Sequence, residues 1–228
     1  MKRTLLLVLF IFALASADPF NTIAAYTVDQ GSGWLGPYMY ATVPIGDTTS
    51  DVILDPYMYF GYGVLPRFDV TVFANGAFSA GRFSLGELVV EPRYMFIAKD
   101  NFLLSGVLEA SIPLSEDGSF ALTPGIMATL FPLGKFNLHA DLFYYRPLTD
   151  ETNGEIWFWV APDLWVADNF SIFGELNTYY SLDDNSLTAE LWPGACWYPV
   201  EWLSVVAACG VPATLDYVSP GLAAYVSF

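Results

Sequence analysis

Carboxylate side chains recur at alternate positions of segments that are otherwise rich in apolar residues. Within residues 82–97, Glu87, Glu91 and Arg93 stand at odd positions, whereas most even positions are apolar or aromatic. A period of two places such residues on one face of a β-strand and the apolar residues on the other. The ionisable residues assigned to this polar face are Asp55, Asp69, Glu87, Glu91, Glu109, Asp141, Asp163, Glu175 and Glu190, with Arg67, Arg93 and His139 among them. A surface with this excess of carboxylates favours cations.

Acid–base catalysis is the other chemistry that these residue types could perform. His139 and Asp141 share the polar face of one segment, in the spacing of a general base and the residue that orients it. No serine has a sequence relation to this pair, and a lone inward histidine is typically structural, so we expect no enzyme activity. Because the chain has one His and two Cys, we also expect no metal site and no cofactor.

Composition restricts the elements that can carry these residues. The chain has 228 residues, 54% of them hydrophobic and 17% aromatic, yet its net charge is −16. Such an acidic chain is poorly suited to nucleic acid, whose phosphates bind Lys and Arg. The longest charge-free stretches, residues 30–46 and 118–134, contain Pro and Gly and are shorter than the ~20 residues that a membrane-spanning helix needs. Inside a bilayer, the remaining solution is a closed β-barrel.

Twelve strand-length segments show the alternation, which predicts an all-β fold: a closed antiparallel up-and-down transmembrane β-barrel of about twelve strands. The predicted strands are residues 34–45, 52–63, 66–75, 83–97, 100–113, 119–131, 136–146, 155–166, 169–181, 187–198, 202–211 and 219–228. Their connections alternate between tight turns and longer loops, which are acidic except for a Gly-rich loop at 76–82. Proline inside several strands removes a ladder hydrogen bond, and β-bulges could absorb this irregularity.

The first 17 residues have the pattern of a cleaved secretory signal peptide. Lys2 and Arg3 precede an apolar run, and Ala15-Ser16-Ala17 is a small-residue cleavage site. We therefore expect residues 1–17 to be removed on export and residues 34–228 to form the barrel. Residues 18–33 are ambiguous, because they could form an N-terminal arm, an extra strand or a plug inside the barrel.

The C-terminal segment from Leu222 to Phe228 alternates apolar residues on one face and ends on an aromatic residue. This segment resembles the C-terminal signature by which Gram-negative outer-membrane barrels are recognised for insertion. The resemblance implies that Phe228 is an insertion signal and that the barrel-assembly machinery is a partner. It also implies a bacterial outer-membrane location, in contact with lipid and lipopolysaccharide. The strand–turn units at residues 59–70 and 163–170 resemble those of small transporter-type porins, such as the family linked to aromatic-compound uptake.

Two functions are compatible with an acidic polar face inside a closed barrel. The first is an outer-membrane channel for passive passage of small solutes, with an acidic, cation-preferring lumen. The second is a closed barrel whose inward ionisable groups form a hydrogen-bonded and salt-bridged interior, with a structural, adhesion or surface-binding role. Inward aromatic residues would narrow the lumen to a constriction or seal it: Trp157, Trp159, Trp165, Tyr57, Tyr59 and Tyr179.

Overall fold

The alternating segments form twelve β-strands in the computed structural model, which describes residues 21–46, 51–116, 118–131, 134–149 and 152–228. The strands are β1 (Gly33–Pro44), β2 (Ile53–Leu65), β3 (Phe68–Ser79), β4 (Arg82–Lys99), β5 (Phe102–Pro113), β6 (Ala121–Leu130), β7 (Phe136–Pro147), β8 (Glu155–Ala167), β9 (Phe170–Ser181), β10 (Ser186–Val200), β11 (Leu203–Pro212) and β12 (Tyr217–Ser227). Each predicted strand corresponds to one of them, so the predicted all-β barrel fold is confirmed. The predicted signal peptide, residues 1–17, lies outside the described residues.

The twelve strands close into one barrel in which each strand pairs with its neighbours in sequence and β12 returns to β1. This last pairing is antiparallel, and its register sets Tyr38 opposite Ala223. Gly33 and Phe228 extend this β1–β12 pairing by exchanging two backbone hydrogen bonds of 2.8 and 2.9 Å. Because the sheet is closed, none of its strands is left as an unpaired edge.

Side chains alternate between the two faces of the sheet, as a strand's period of two requires. At the C-terminus, Leu222 and Phe228 point outwards and are 55% and 65% exposed, whereas Ala223 is 2% exposed. Ile126 on β6 is one of many further apolar side chains on the outer face. An apolar outer wall around a polar interior is the arrangement of a barrel that spans a lipid bilayer. In the parts of the chain that are described, no helix is long and apolar enough to cross a membrane.

The predicted Gly-rich loop at residues 76–82 is wrong, because β3 and β4 pair across almost all of it. Only Ala80 and Gly81 connect these strands, with φ angles of 50° and 73°. Both angles lie in the left-handed region, which two-residue hairpin turns of type I′ require. Gly76 suggested a loop, but it lies within the ladder, where the register shifts between Ala74 and Gly76.

Proline inside the strands is accommodated without the β-bulges that could have absorbed it. Pro124, for example, lies opposite Leu108 in an uninterrupted register between β5 and β6. Register shifts occur away from these prolines instead, as between Trp165 and Ala167 of β8, just before a tight turn. Because the Pro124 ring is exposed on the outer face, its effect on the sheet is limited to one missing ladder donor.

Candidate functional site: the barrel lumen

The lumen contains part of the N-terminal region, residues 21–32, which we call the inner segment. The amide of Asn21 donates to both carboxylate oxygens of Glu175 on β9, at 2.8 and 2.9 Å. The amide of Ile23 donates to Asp141 on β7 at 2.7 Å. These carboxylates lie on different strands. The inner segment therefore passes over several strands on the inner side of the barrel wall. It adds no strand to the closed sheet.

A buried ion pair holds the middle of the inner segment. The guanidinium of Arg93 on β4 donates to the two carboxylate oxygens of Asp69 on β3, at 2.8 and 3.1 Å. Arg93 also donates to the carbonyl of Ala24 at 3.3 Å, and Asp69 accepts the amide of Val28 at 2.6 Å. Both charged side chains are buried, with 5% and 0% exposure. The pair thus acts as a clamp that binds the inner segment through both of its members.

His139 and Asp141 share a strand face but contact different partners. The Nδ1 atom of His139 lies 3.1 Å from the hydroxyl of Thr129. That hydroxyl accepts the amide of Ala25 at 2.9 Å, while Asp141 accepts the amide of Ile23. Through these contacts, His139 and Asp141 both support the position of the inner segment.

The contacts of the inner segment lie in the half of the barrel that ends in tight turns. Asp69 is the second residue of β3, and Thr129 is the next to last residue of β6. Asp141 and Glu175 are the sixth residues of β7 and β9, both of which begin at tight turns. The inner segment therefore runs from the middle of the barrel, at Asn21, towards the end with the tight turns.

A cavity of about 1530 Å³ occupies the part of the lumen that the inner segment leaves free. Glu87, Glu91 and Glu109, on β4 and β5, line one part of its wall. The β4–β5 register, which continues unshifted from Val90 to Arg93, puts Glu91 directly opposite Glu109. Two carboxylates in directly opposed positions repel each other when both are ionised.

The nine carboxylates assigned to one face thus have different surroundings. Three bind the inner segment and four line the cavity: Asp69, Asp141 and Glu175 in the first group, and Glu87, Glu91, Glu109 and Glu190 in the second. Asp163 is buried outside the cavity lining and accepts a hydrogen bond of 3.2 Å from Asn137. Asp55 is half-buried near the start of β2. Arg67 lies in a tight turn, with φ of 64°, and borders the cavity.

Aromatic rings cover two further parts of the cavity wall. The first bank consists of Tyr38, Tyr40, Tyr57, Tyr59, Phe73 and Trp192, and the second bank of Tyr145, Trp157, Trp159 and Tyr179. In the first bank, Tyr59 stacks on Phe73 with ring centroids 4.6 Å apart. In the second, Trp157 and Trp159 stack at 5.8 Å. Trp165, which the sequence also assigned to a constriction, stacks on Tyr198 instead and is not part of the cavity wall.

The aromatic residues of β1 were not among the residues singled out from the sequence. Tyr38 and Tyr40 point into the lumen, whereas Leu35 and Met39 are 45% and 46% exposed on the outer face. The signal that could have identified them is the same alternation, because both tyrosines occupy even positions of β1. Trp192 follows the same rule on β10, where it lies two residues after the inward Glu190.

Two indole groups bind carboxylates in the same way on different strands. The Nε1 atom of Trp157 donates to Glu155 at 2.7 Å, and that of Trp192 donates to Glu190 at 2.9 Å. In each case the Glu precedes the Trp by two residues, so both side chains share the inward face. The hydroxyl of Tyr217 donates to Glu190 as well. Each aromatic bank therefore has a hydrogen-bonded carboxyl group beside it.

At the opposite end of the barrel, a hydrogen-bonded latch joins two of the longer loops. The carboxylate of Asp183 accepts from the backbone amide of Asn153 at 2.8 Å and from its side-chain amide at 2.7 Å. The hydroxyl of Thr152 donates to the same carboxylate. These hydrogen bonds, from Thr152 first and then from Asn153, lower the pKa of Asp183 below its ordinary value.

A closed antiparallel barrel with an apolar outer wall and a cavity in its lumen has a porin-like fold. Solved outer-membrane channels share this fold. The KdgM porin is 8% identical, with a TM-score of 0.67 over 86% of this chain and 99% of that chain. The NanC porin is 9% identical, with a TM-score of 0.65 over 83% of this chain and 98% of that chain. The COG4313 outer membrane channel from Pseudomonas putida F1 is 12% identical, with a TM-score of 0.67 over 93% of this chain and 100% of that chain.

No family model matches the sequence, and a comparison with curated proteins finds no match. At 8% to 12% identity, the similarity to solved structures shows the fold. The three solved proteins named above are porins or outer-membrane channels.

Proposed function

We propose that the protein is an outer-membrane channel for the passive passage of small solutes, and that its lumen prefers cations. The observation that carries the proposal is the cavity of about 1530 Å³ with Glu87, Glu91, Glu109 and Glu190 in its wall. Among the described residues, Arg93 is the only Lys or Arg side chain that is buried. Arg93 donates to Asp69, and Arg67 is the other basic residue on the cavity wall. Six Asp and Glu residues line the same cavity, so acidic residues outnumber basic ones there.

The charge of the lumen determines which solutes can enter it. Carboxylates in a narrow, partly dehydrated passage lower the barrier for cations and raise it for anions. A structure of the KdgM porin contains disordered oligogalacturonate, a chain whose sugar units carry carboxylates. The carboxylates of this lumen would repel such a polyanion, so we propose solutes of the opposite charge.

The proposal includes a location and the partners that go with it. The apolar outer face suits contact with outer-membrane lipid, and the longer loops would face lipopolysaccharide at the cell surface. Residues 1–17 would direct export, and the exposed C-terminal aromatic ring of Phe228 would be read by the barrel-assembly machinery.

A second candidate function is a closed barrel with a structural, adhesion or surface-binding role. The inner segment favours it, because residues 21–32 bind side chains on β3, β7 and β9 and so obstruct the tight-turn half of the lumen. In the channel proposal, solutes pass beside the inner segment through the cavity. In the closed-barrel proposal, this path does not conduct.

Ion conductance of the refolded protein in planar lipid bilayers tests both candidates. We expect discrete conductance steps and, in a KCl gradient, a reversal potential that reports cation preference. Replacing two cavity carboxylates, Glu87→Gln with Glu109→Gln, should reduce that preference. The matched control replaces two exposed carboxylates outside the cavity, Glu116→Gln with Asp168→Asn, and should leave it unchanged. Absence of conductance would favour the closed barrel. Conductance without cation preference would contradict the proposal that the cavity carboxylates select cations.

A further inference from the structure

The geometry of the cavity points to a specific class of solute: organic cations that combine an ammonium centre with an apolar alkyl or aryl body. The inference rests on the proposed channel and identifies what it binds. Its basis is that aromatic banks and carboxylates occupy neighbouring parts of one cavity wall. An ammonium group needs compensating negative charge once it leaves water, whereas an apolar body gains from contact with rings.

The first aromatic bank is an array of rings from the adjacent strands β1, β2 and β3, which Trp192 of β10 joins through Tyr40. Tyr38 and Tyr57 meet edge to face with centroids 5.1 Å apart, and Tyr59 stacks on Phe73 at 4.6 Å. Ring faces attract cations through their quadrupole, and the attraction increases when water is excluded. Such a surface binds both parts of the proposed solute, the apolar body by contact and the ammonium group by cation–π attraction.

The carboxylates of β4 and β5 line the same cavity as this bank. Glu87 and Glu91 on β4 and Glu109 on β5 border it together with Tyr57 and Tyr59. Phe73 of the bank lies opposite Val89, which precedes Glu91 by two residues on β4. Since neighbouring strands are about 4.8 Å apart, a solute of a few ångströms can contact rings and carboxylates together.

The second bank presents the same combination on β8. Trp157 stacks on Tyr145 at 5.0 Å, and its indole N–H donates to Glu155. A carboxylate that accepts from the indole nitrogen leaves more electron density on the ring, which strengthens its attraction for cations. Trp192 has the same arrangement with Glu190 in the first bank.

Equilibrium binding to the refolded full-length protein in detergent tests the inference without requiring conductance. The probe is benzyltrimethylammonium, followed by calorimetry and by quenching of tryptophan fluorescence. Benzyl alcohol is the uncharged aryl control, and KCl at equal ionic strength is the control for charge alone. We expect benzyltrimethylammonium to bind at least about tenfold more tightly than benzyl alcohol. Equal binding of the two aryl compounds would overturn the inference.

Variants locate the binding site. Glu87→Gln with Glu109→Gln should weaken benzyltrimethylammonium binding about tenfold, and so should Tyr57→Leu with Tyr59→Leu. The matched control for the aromatic pair is Phe60→Leu with Tyr62→Leu on the outward face of the same strand. Circular dichroism checks that each variant retains its β-structure. Binding that none of the cavity variants changes would overturn the inference.

Failure of the inference and failure of the proposed channel give different results. Tight binding of benzyltrimethylammonium by a protein that does not conduct would support the organic-cation site and contradict the channel proposal. Cation-selective conductance without such binding would support the channel proposal and contradict the organic-cation site.

Discussion

Asp69 and Arg93 form a two-point ion pair inside the lumen, and each also binds the backbone of the inner segment. The guanidinium donates to both oxygens of Asp69, at 2.8 and 3.1 Å, and to the carbonyl of Ala24. The same carboxylate accepts the amide of Val28. Charge-assisted hydrogen bonds are the strong ones in proteins. The pair therefore connects two barrel strands to the segment that crosses them.

Removing one member of this pair should destabilise the barrel. Asp69→Asn leaves the Arg93 guanidinium buried without its counter-charge, a change that typically costs ~3–5 kcal/mol. We expect a lower urea midpoint for unfolding in detergent, followed by tryptophan fluorescence. Asp55→Asn is the matched control, because Asp55 is only half-buried. If Asp69→Asn and Asp55→Asn unfolded at the same urea concentration, the pair would not stabilise the fold.

Deleting the inner segment should enlarge the conducting path. A refolded chain without residues 21–32 loses the segment that crosses the tight-turn half of the lumen. It also exposes the carboxylates of Asp69, Asp141 and Glu175 to the passage. We expect a larger single-channel conductance and a stronger cation preference than in the intact chain. An unchanged conductance would mean that the segment does not limit ion flow.

Replacing the C-terminal aromatic residue should impair insertion of the protein into the outer membrane more than it lowers the stability of the folded barrel. Phe228 is exposed on the outer face and stacks on Phe60 at 6.4 Å. We expect Phe228→Ser to reduce the amount of protein in the outer-membrane fraction, and Phe228→Tyr to preserve it. Phe60→Leu removes the same stacking contact and is the control. If Phe228→Ser and Phe60→Leu reduced the membrane fraction equally, the stack rather than the terminal residue would be responsible.

The hydrogen-bonded latch between Asp183 and Asn153 should be lost at acid pH. Because hydrogen bonds lower the pKa of Asp183, the latch is complete above the ordinary carboxyl range and is lost as pH falls through the lowered pKa. We therefore expect the amide of Asn153 to remain protected from hydrogen exchange at about pH 5, above the ordinary Asp pKa.

The variant Asp183→Ala should remove this protection at every pH, whereas the neighbouring Asp184→Ala should not. Equal exchange rates for Asn153 in the two variants, compared at the same pH, would show that Asp183 does not form the latch in solution.

The strand order and the two faces of the barrel followed from local alternation. Glu87 and Leu88 differ by one position, and in a strand this alone places them on opposite faces of the sheet. The same reasoning failed at residues 76–82, where glycine signalled a loop although the ladder continues to a turn at Ala80 and Gly81. A single sequence cannot distinguish a glycine in a bulge from one in a loop, because both use the same backbone freedom.

The sequence by itself determined a closed barrel with an apolar outer face, since each strand's own period separates its two faces and a bilayer excludes an open sheet edge. The tertiary structure alone decided which carboxylates remain available to a solute. Glu175 and Glu109 occupy equivalent inward positions in the alternation, yet Glu175 accepts the amide of Asn21 and Glu109 lines the cavity. The difference arises because residues 21–32 meet side chains as many as 154 positions away, and no local period encodes contacts at that distance.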